Sequence, residues 1–290
     1  MKKKKRVLQF HPSSFPNSLR ASVFKFLTVP NSGKEIIMRN LKCYSILICS
    51  LLFILGLSML AQAQTLLGQW TFESIKDTAK NFGDIKLNGG AAIEKGQLVL
   101  GTNKWAVTSG YIGPDITEKT LVAWLYIDDL EIKMGAPIGI NQSNSDSFDA
   151  ITYAERQPRR FFPGSSNFMR TQDPVPGFEE KETGKLVYMA ISYENNGGQA
   201  HIRIYRNSDL IGDYTQGAIA TWKKGNVEAI FGIRALIGGT AYGWIGQRVE
   251  EARIYGSVLT QNDIKNVDKA FLAVNPGDKL TTFWGAVKSK

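Results

Sequence analysis

The chain of 290 residues carries 35 Lys and Arg against 26 Asp and Glu, a surplus that would suit a nucleic-acid partner. Ten of those basic residues, but only Glu35 among the acids, lie in residues 1–63, so the remainder holds 25 of each sign. The footprint of a nucleic-acid binder is therefore absent from it. With both cysteines at Cys43 and Cys49, a disulfide framework and a thiol nucleophile are excluded there too.

In chain order, the first feature is the apolar run from Ile46 to Leu60, preceded by Arg39 and Lys42 and followed by Ala61-Gln62-Ala63-Gln64. A positive start, a short apolar stretch and small residues before the cut make a secretory signal peptide cleaved after Ala63. The run of 15 residues falls short of the roughly 20 that a spanning helix needs. An uncleaved anchor is the alternative, because 45 residues precede the run. Met38 offers a start that gives a leader of ordinary length, with residues 1–37 an over-extended gene start. The mature chain is expected to be secreted or on the exterior of the cell envelope.

After Gln64 the apolar residues come in short runs separated by Gly, Asn, Asp and Pro, the pattern of strands and turns. The clearest are Leu66 to Phe72, Gly96 to Leu100, Thr120 to Ile127, Phe148 to Ala154, Leu186 to Tyr193, His201 to Arg206, Ala229 to Ile233 and Val249 to Tyr255. Leu121, Ala123, Leu125 and Ile127 share one face of their strand, and Val122, Trp124 and Tyr126 the other. Apolar on both sides, it is predicted to be central. Asn195-Asn196-Gly197-Gly198 predicts a hairpin turn, and Asn207-Ser208-Asp209 turns the next strand back toward Leu210 to Tyr214.

Thr260 to Leu272 alone has helical spacing, with Thr260 as N-cap, Asp263 three residues on, and Ile264, Val267 and Phe271 on one face. No repeat or linker interrupts residues 64–272. The prediction is an all-β fold: one two-sheet antiparallel jelly-roll sandwich with a short C-terminal helix, followed by a tail over 273–290.

Three segments resemble the laminin-G-like family, of the concanavalin A-like kind. Leu67-Gly68-Gln69-Trp70-Thr71-Phe72-Glu73, with Asp77 and Asn81, is similar to its opening strand and loop. Lys185 to Tyr193, the Asn-Gly turn and His201 to Gly212 are similar to its hairpin. Val249-Glu250-Glu251-Ala252-Arg253-Ile254-Tyr255, then Val258-Leu259-Thr260 and Asp263-Ile264, resembles its closing segment most specifically. Departures are Glu250 for the usual Asp, Ala252 for Val, and Lys80 and Phe82 where the loop usually has glycines.

The resemblance implies a secreted binding module for carbohydrate or extracellular matrix, with a structural or protein-binding adhesion domain and a divergent polysaccharide-degrading enzyme as alternatives. It also implies calcium near the opening loop and closing strand, which nominates Asp77, Asn81 and Glu250; hard oxygen ligands of this type suit that ion. As turn formers and a strand residue, the same three need no ion.

No catalytic residue is nominated. A glycosidase needs two carboxylates flanking the scissile bond, and the E-x-D-x-x-E type of strand motif is missing. Glu250 and Glu251 are adjacent and so are expected on opposite faces, while Glu179, Glu180 and Glu182 read as a solvated charge run. His201 alone after the leader excludes multi-histidine metal sites. Sugar binding calls for exposed aromatic faces beside fixed polar groups, which nominates Trp222 at a polar turn, then Tyr242 and Trp244 beside glycines. Arg159 and Arg160 in the Arg- and Phe-rich segment Glu155 to Asp173 suit an acidic glycan. The plainer reading of that segment is a loop pinned by its own phenylalanines.

Overall fold

The computed structural model describes residues 64–143 and 145–274. The leader over residues 1–63, with the start at Met38, and the tail beyond residue 274 lie outside the described residues.

Strands follow one another in short pieces: β1 (Leu66–Trp70), β2 (Lys86–Asn88), β3 (Ala92–Glu94), β4 (Gln97–Val99), β5 (Trp105–Val107), β6 (Lys119–Asp129), β7 (Gly139–Gln142) and β8 (Phe148–Tyr153). Then come β9 (Phe161–Ser165), β10 (Leu186–Asn196), β11 (Gln199–Arg206), β12 (Asp209–Ala218), β13 (Val227–Phe231), β14 (Ala235–Ile237), β15 (Thr240–Tyr242), β16 (Gly246–Tyr255) and the helix α1 (Gln261–Val274).

One sheet of eight strands runs β12-β11-β10-β6-β16-β4-β3, with β1 beside β4 on the free edge of β16. A second, of six, runs β2-β5-β13-β7-β8-β9, and β14 with β15 forms a separate hairpin. The strand pairings are antiparallel. This is the two-sheet jelly-roll sandwich expected.

The core fills the space between the sheets. Leu121, Ala123, Leu125 and Ile127 of β6 face Ile151 and Tyr153 of β8 and Ala229 and Phe231 of β13 across it. Trp70 anchors one end, 5.2 Å from Phe231 and 5.3 Å from Phe82 between ring centroids. Aromatic pairs of this edge-on kind add to the burial of their large apolar area.

Strand β6 is central, with β10 on one side and β16 on the other. Its outer face is apolar because α1 covers it: Trp124 stacks 4.3 Å from Phe271 and 4.7 Å from Tyr188, and its Nε1 donates to Asp268. The helix starts as a capping box, with Asp263 N–H donating to Thr260 Oγ1 and Thr260 N–H to Asp263 Oδ2.

Both predicted turns form. Gly197-Gly198 and Asn207-Ser208 are two-residue loops with positive φ throughout (61° and 91°, 47° and 70°), joining Asn196 to Gln199 and Arg206 to Asp209. Such loops match the twist of the flanking strands.

Three expectations are corrected. The segment Glu155 to Asp173 is not all loop, because β9 lies inside it and pairs with β8, placing Pro163 opposite Ile151. As the edge strand it tolerates a residue without an N–H. Glu250 and Glu251 lie on the same, outer face: a bulge between Val249 and Glu251 inserts one extra residue against β6. Glu251 there accepts from Gln69 and Arg253, while Glu250 accepts from Gln97. Glu180 is buried rather than solvated, as described below.

An ionic cluster spans the interior. Lys119 of β6 stands 2.8 Å from Asp149 of β8, whose other oxygen accepts from Arg170 at 2.8 Å. All three are buried. Burial pulls the Lys119 pKa down against the attraction of Asp149, and its ammonium sits 4.1 Å above the Tyr193 ring. No helix among the described residues is long and apolar enough to cross a membrane.

Candidate functional site

The segment linking β9 to β10 builds a cleft of about 640 Å³. Its backbone is pinned at both ends of the tetrapeptide Gly177-Phe178-Glu179-Glu180: Gly177 N–H donates to Ile211 O at 2.9 Å and Glu180 N–H to Arg159 O at 2.8 Å. Gly177 has φ +67°, and a Cβ there would stand 2.8 Å from Pro174 O and 3.1 Å from Arg160 Nη1. A side chain is excluded both by the left-handed backbone and by the packed guanidinium.

Inside this frame Arg206, at the end of β11, donates in fork fashion to Glu180, at 2.6 and 2.8 Å. Such pairs are strong and geometrically specific. The same guanidinium lies 3.7 Å from the Phe178 ring centroid, a cation–π contact that holds the ring upright. Phe178 is nonetheless 42 % exposed. Lys185 pairs with Glu182 at the rim. Arg160 lines the cleft with no ion-pair partner among the described residues.

A second cleft, about 290 Å³, lies between the β14–β15 hairpin and the turn after β9, with Tyr242 and Phe168 exposed at its rim. Glu155 and Arg234 form an ion pair in it. Burial raises the Glu155 pKa, outweighing the attraction of Arg234. Glu155 also borders a smaller cleft of about 180 Å³, where Arg159 binds Glu131 at 2.6 Å.

The residues nominated from sequence are thus dispersed. Arg160 lines the first cleft, Tyr242 the second and Arg159 the third. Trp244 is half-buried, its carbonyl accepting from Gly135. Trp222 is corrected outright: it is 1 % exposed and part of the core, with Lys119 5.5 Å from its ring centroid. Its backbone bridges Ile116, so the ring points inward although Lys223, Lys224 and Gly225 beyond it are exposed.

Of the three calcium nominees, Asp77 and Asn81 share the opening loop, and Glu250 lies on β16 with a partner of its own. Asp77 is buried and takes the N–H groups of Gln69, Ala79, Asn81 and Phe82, two on each oxygen. Asn81 turns its amide nitrogen to Leu67 O, and Glu250 bonds Gln97. Asp77 organises the opening loop with both oxygens engaged, so these residues do not fit a calcium cage. Among the described residues no group of three or more His, Cys, Asp or Glu side chains is arranged to hold a metal ion.

His201 does have partners, Asp213 at 2.6 Å and Glu194 at 3.2 Å, on the strands either side of β11. Cross-strand register brought them together and was not legible from a single strand. Phe178 and Arg206 were likewise missed. The only signal was an aromatic residue in a Pro- and Gly-rich loop, and nothing in the sequence joined it to an arginine 28 positions away.

Architecture defines the class: an antiparallel two-sheet jelly-roll sandwich with one α-helix among the described residues. No protein-family model matches the chain, and no curated protein matches it. Among solved structures it is similar to domain 4 of AbnA, a GH43 extracellular arabinanase from Geobacillus stearothermophilus, in complex with arabinotriose. That likeness has a TM-score of 0.50 at 16 % identity over 71 % of this chain and 98 % of that one. The binding domain of botulinum neurotoxin serotype D gives 0.47 at 14 % identity over 71 % of this chain and 52 % of its own. The Trypanosoma rangeli sialidase gives 0.46 at 14 % over 70 % and 32 %. The chain therefore spans about half of the neurotoxin domain and a third of the sialidase, and the likeness at these identities is one of fold.

Proposed function

We propose that this chain is an exported, non-catalytic module that binds carbohydrate at a cell or matrix surface through the cleft around Phe178. The observation carrying this reading is the exposed Phe178 ring, held by Arg206 and Glu180 over a cleft of about 640 Å³. A fixed aromatic face beside charged and amide groups suits the apolar side of a sugar ring and its hydroxyls. The laminin-G-like segments and the arabinotriose bound to the similar arabinanase domain support the same reading.

A glycan array of the full-length protein tests it. Binding that Phe178→Ala weakens at least about tenfold, with the melt little changed, supports the reading; no binding to any glycan removes it. Export is tested by the intact mass of the released protein, expected to begin at Gln64.

A second reading, polysaccharide cleavage, is favoured by Glu155 and Asp146, two carboxylates that line one cleft. Release of reducing ends that is lost in Glu155→Gln would establish it over the first.

A further inference from the structure

We infer that the Phe178 cleft takes an anionic sugar unit, carboxylated or sulfated, through Arg160; this rests on the carbohydrate reading above. The charges of the cleft carry it. Arg206 is tied to Glu180 and Lys185 to Glu182, which leaves Arg160 and Lys181 facing one exposed carboxylate, Glu179. The groups left without ion-pair partners therefore have an excess of positive charge.

Arg160 is also positioned. Its residue bridges Glu179 through the backbone, and its Nη1 packs against the bare Gly177. Arg160 is a half-buried residue with no carboxylate of its own among the described residues. A guanidinium fork matches the paired oxygens of a carboxylate or sulfate. Phe178 in the same cleft supplies the apolar contact, with Arg206 behind it. A neutral sugar would use the ring and leave the fork of Arg160 unanswered, whereas an anionic sugar engages both.

Affinity electrophoresis of the full-length protein through polygalacturonate, its methyl ester, dextran sulfate and dextran tests the inference. Retention by an acidic polymer and not by its neutral counterpart is expected, weakening as salt rises. Which acid retains the protein tells carboxylate from sulfate. Arg160→Gln should weaken that retention about ten- to hundredfold, Arg160→Lys should keep part of it, and Lys86→Gln, exposed on β2 outside this cleft, should leave it unchanged. Thermal melts of each variant separate lost binding from lost folding. Equal retention by acidic and neutral polymers, or retention indifferent to Arg160→Gln in a folded variant, overturns the inference and leaves the carbohydrate reading standing. Failure on these polymers together with a silent glycan array removes both.

Discussion

Trp222 and Phe178 show how neighbouring residues mislead at the residue scale. Trp222 lies next to an exposed Lys-Lys-Gly turn yet is core, and Phe178 lies in a charged loop yet is anchored. Trp222→Ala should therefore cost about 3–5 kcal/mol in a urea melt, as large cavities do. Phe178→Ala should cost less than about 1 kcal/mol. Asp77 makes a parallel case. Removing its carboxylate orphans four backbone donors, a cost of about 1–3 kcal/mol for each that stays buried and unsatisfied. The melting temperature of Asp77→Ala should fall equally in calcium and in chelator. A loss confined to calcium buffer would restore the ion to this loop.

At the scale of elements, α1 is held by a cap and by three buried apolar residues, Ile264, Val267 and Phe271. Thr260→Ala should cost about 1 kcal/mol, the usual worth of an N-cap. The cap is also pH-dependent. Burial acts to raise the Asp263 pKa, but hydrogen bonds from Thr260 and Gln64 outweigh it and leave the pKa lowered. A lowered carboxylate pKa contributes stability that is complete above the unfolded value, about 3.9, and is lost as pH falls through the folded value. Between about pH 5 and pH 2 the native protein should lose more stability than Thr260→Ala does, and identical acid titrations would refute the cap.

For the whole molecule, the buried Lys119–Asp149–Arg170 cluster matters because it joins the two sheets through the core. Asp149→Ala leaves two buried cations without their carboxylate and should destabilise by about 3–5 kcal/mol in denaturant melts. A loss below about 1 kcal/mol would mean that water reaches the cluster. Much of the fold was legible in the sequence. Alternation gave the long strands, apolar residues on both faces marked β6 as central, an Asn-Gly and an Asn-Ser turn placed two hairpins, and the Thr260–Asp263 spacing set the start of α1. The three-residue strands β2, β5 and β14 were not, since so short a run has no period of its own to read. Each legible feature depends on residues within one or two turns of chain, where backbone sterics and burial periodicity act. The cleft, the cluster and the buried state of Trp222 depend on residues brought from distant strands, such as Phe178 to Arg206 and Lys119 to Asp149. Only tertiary packing chose those partners, because side-chain charge and stacking act through space and leave no mark on spacing along the chain.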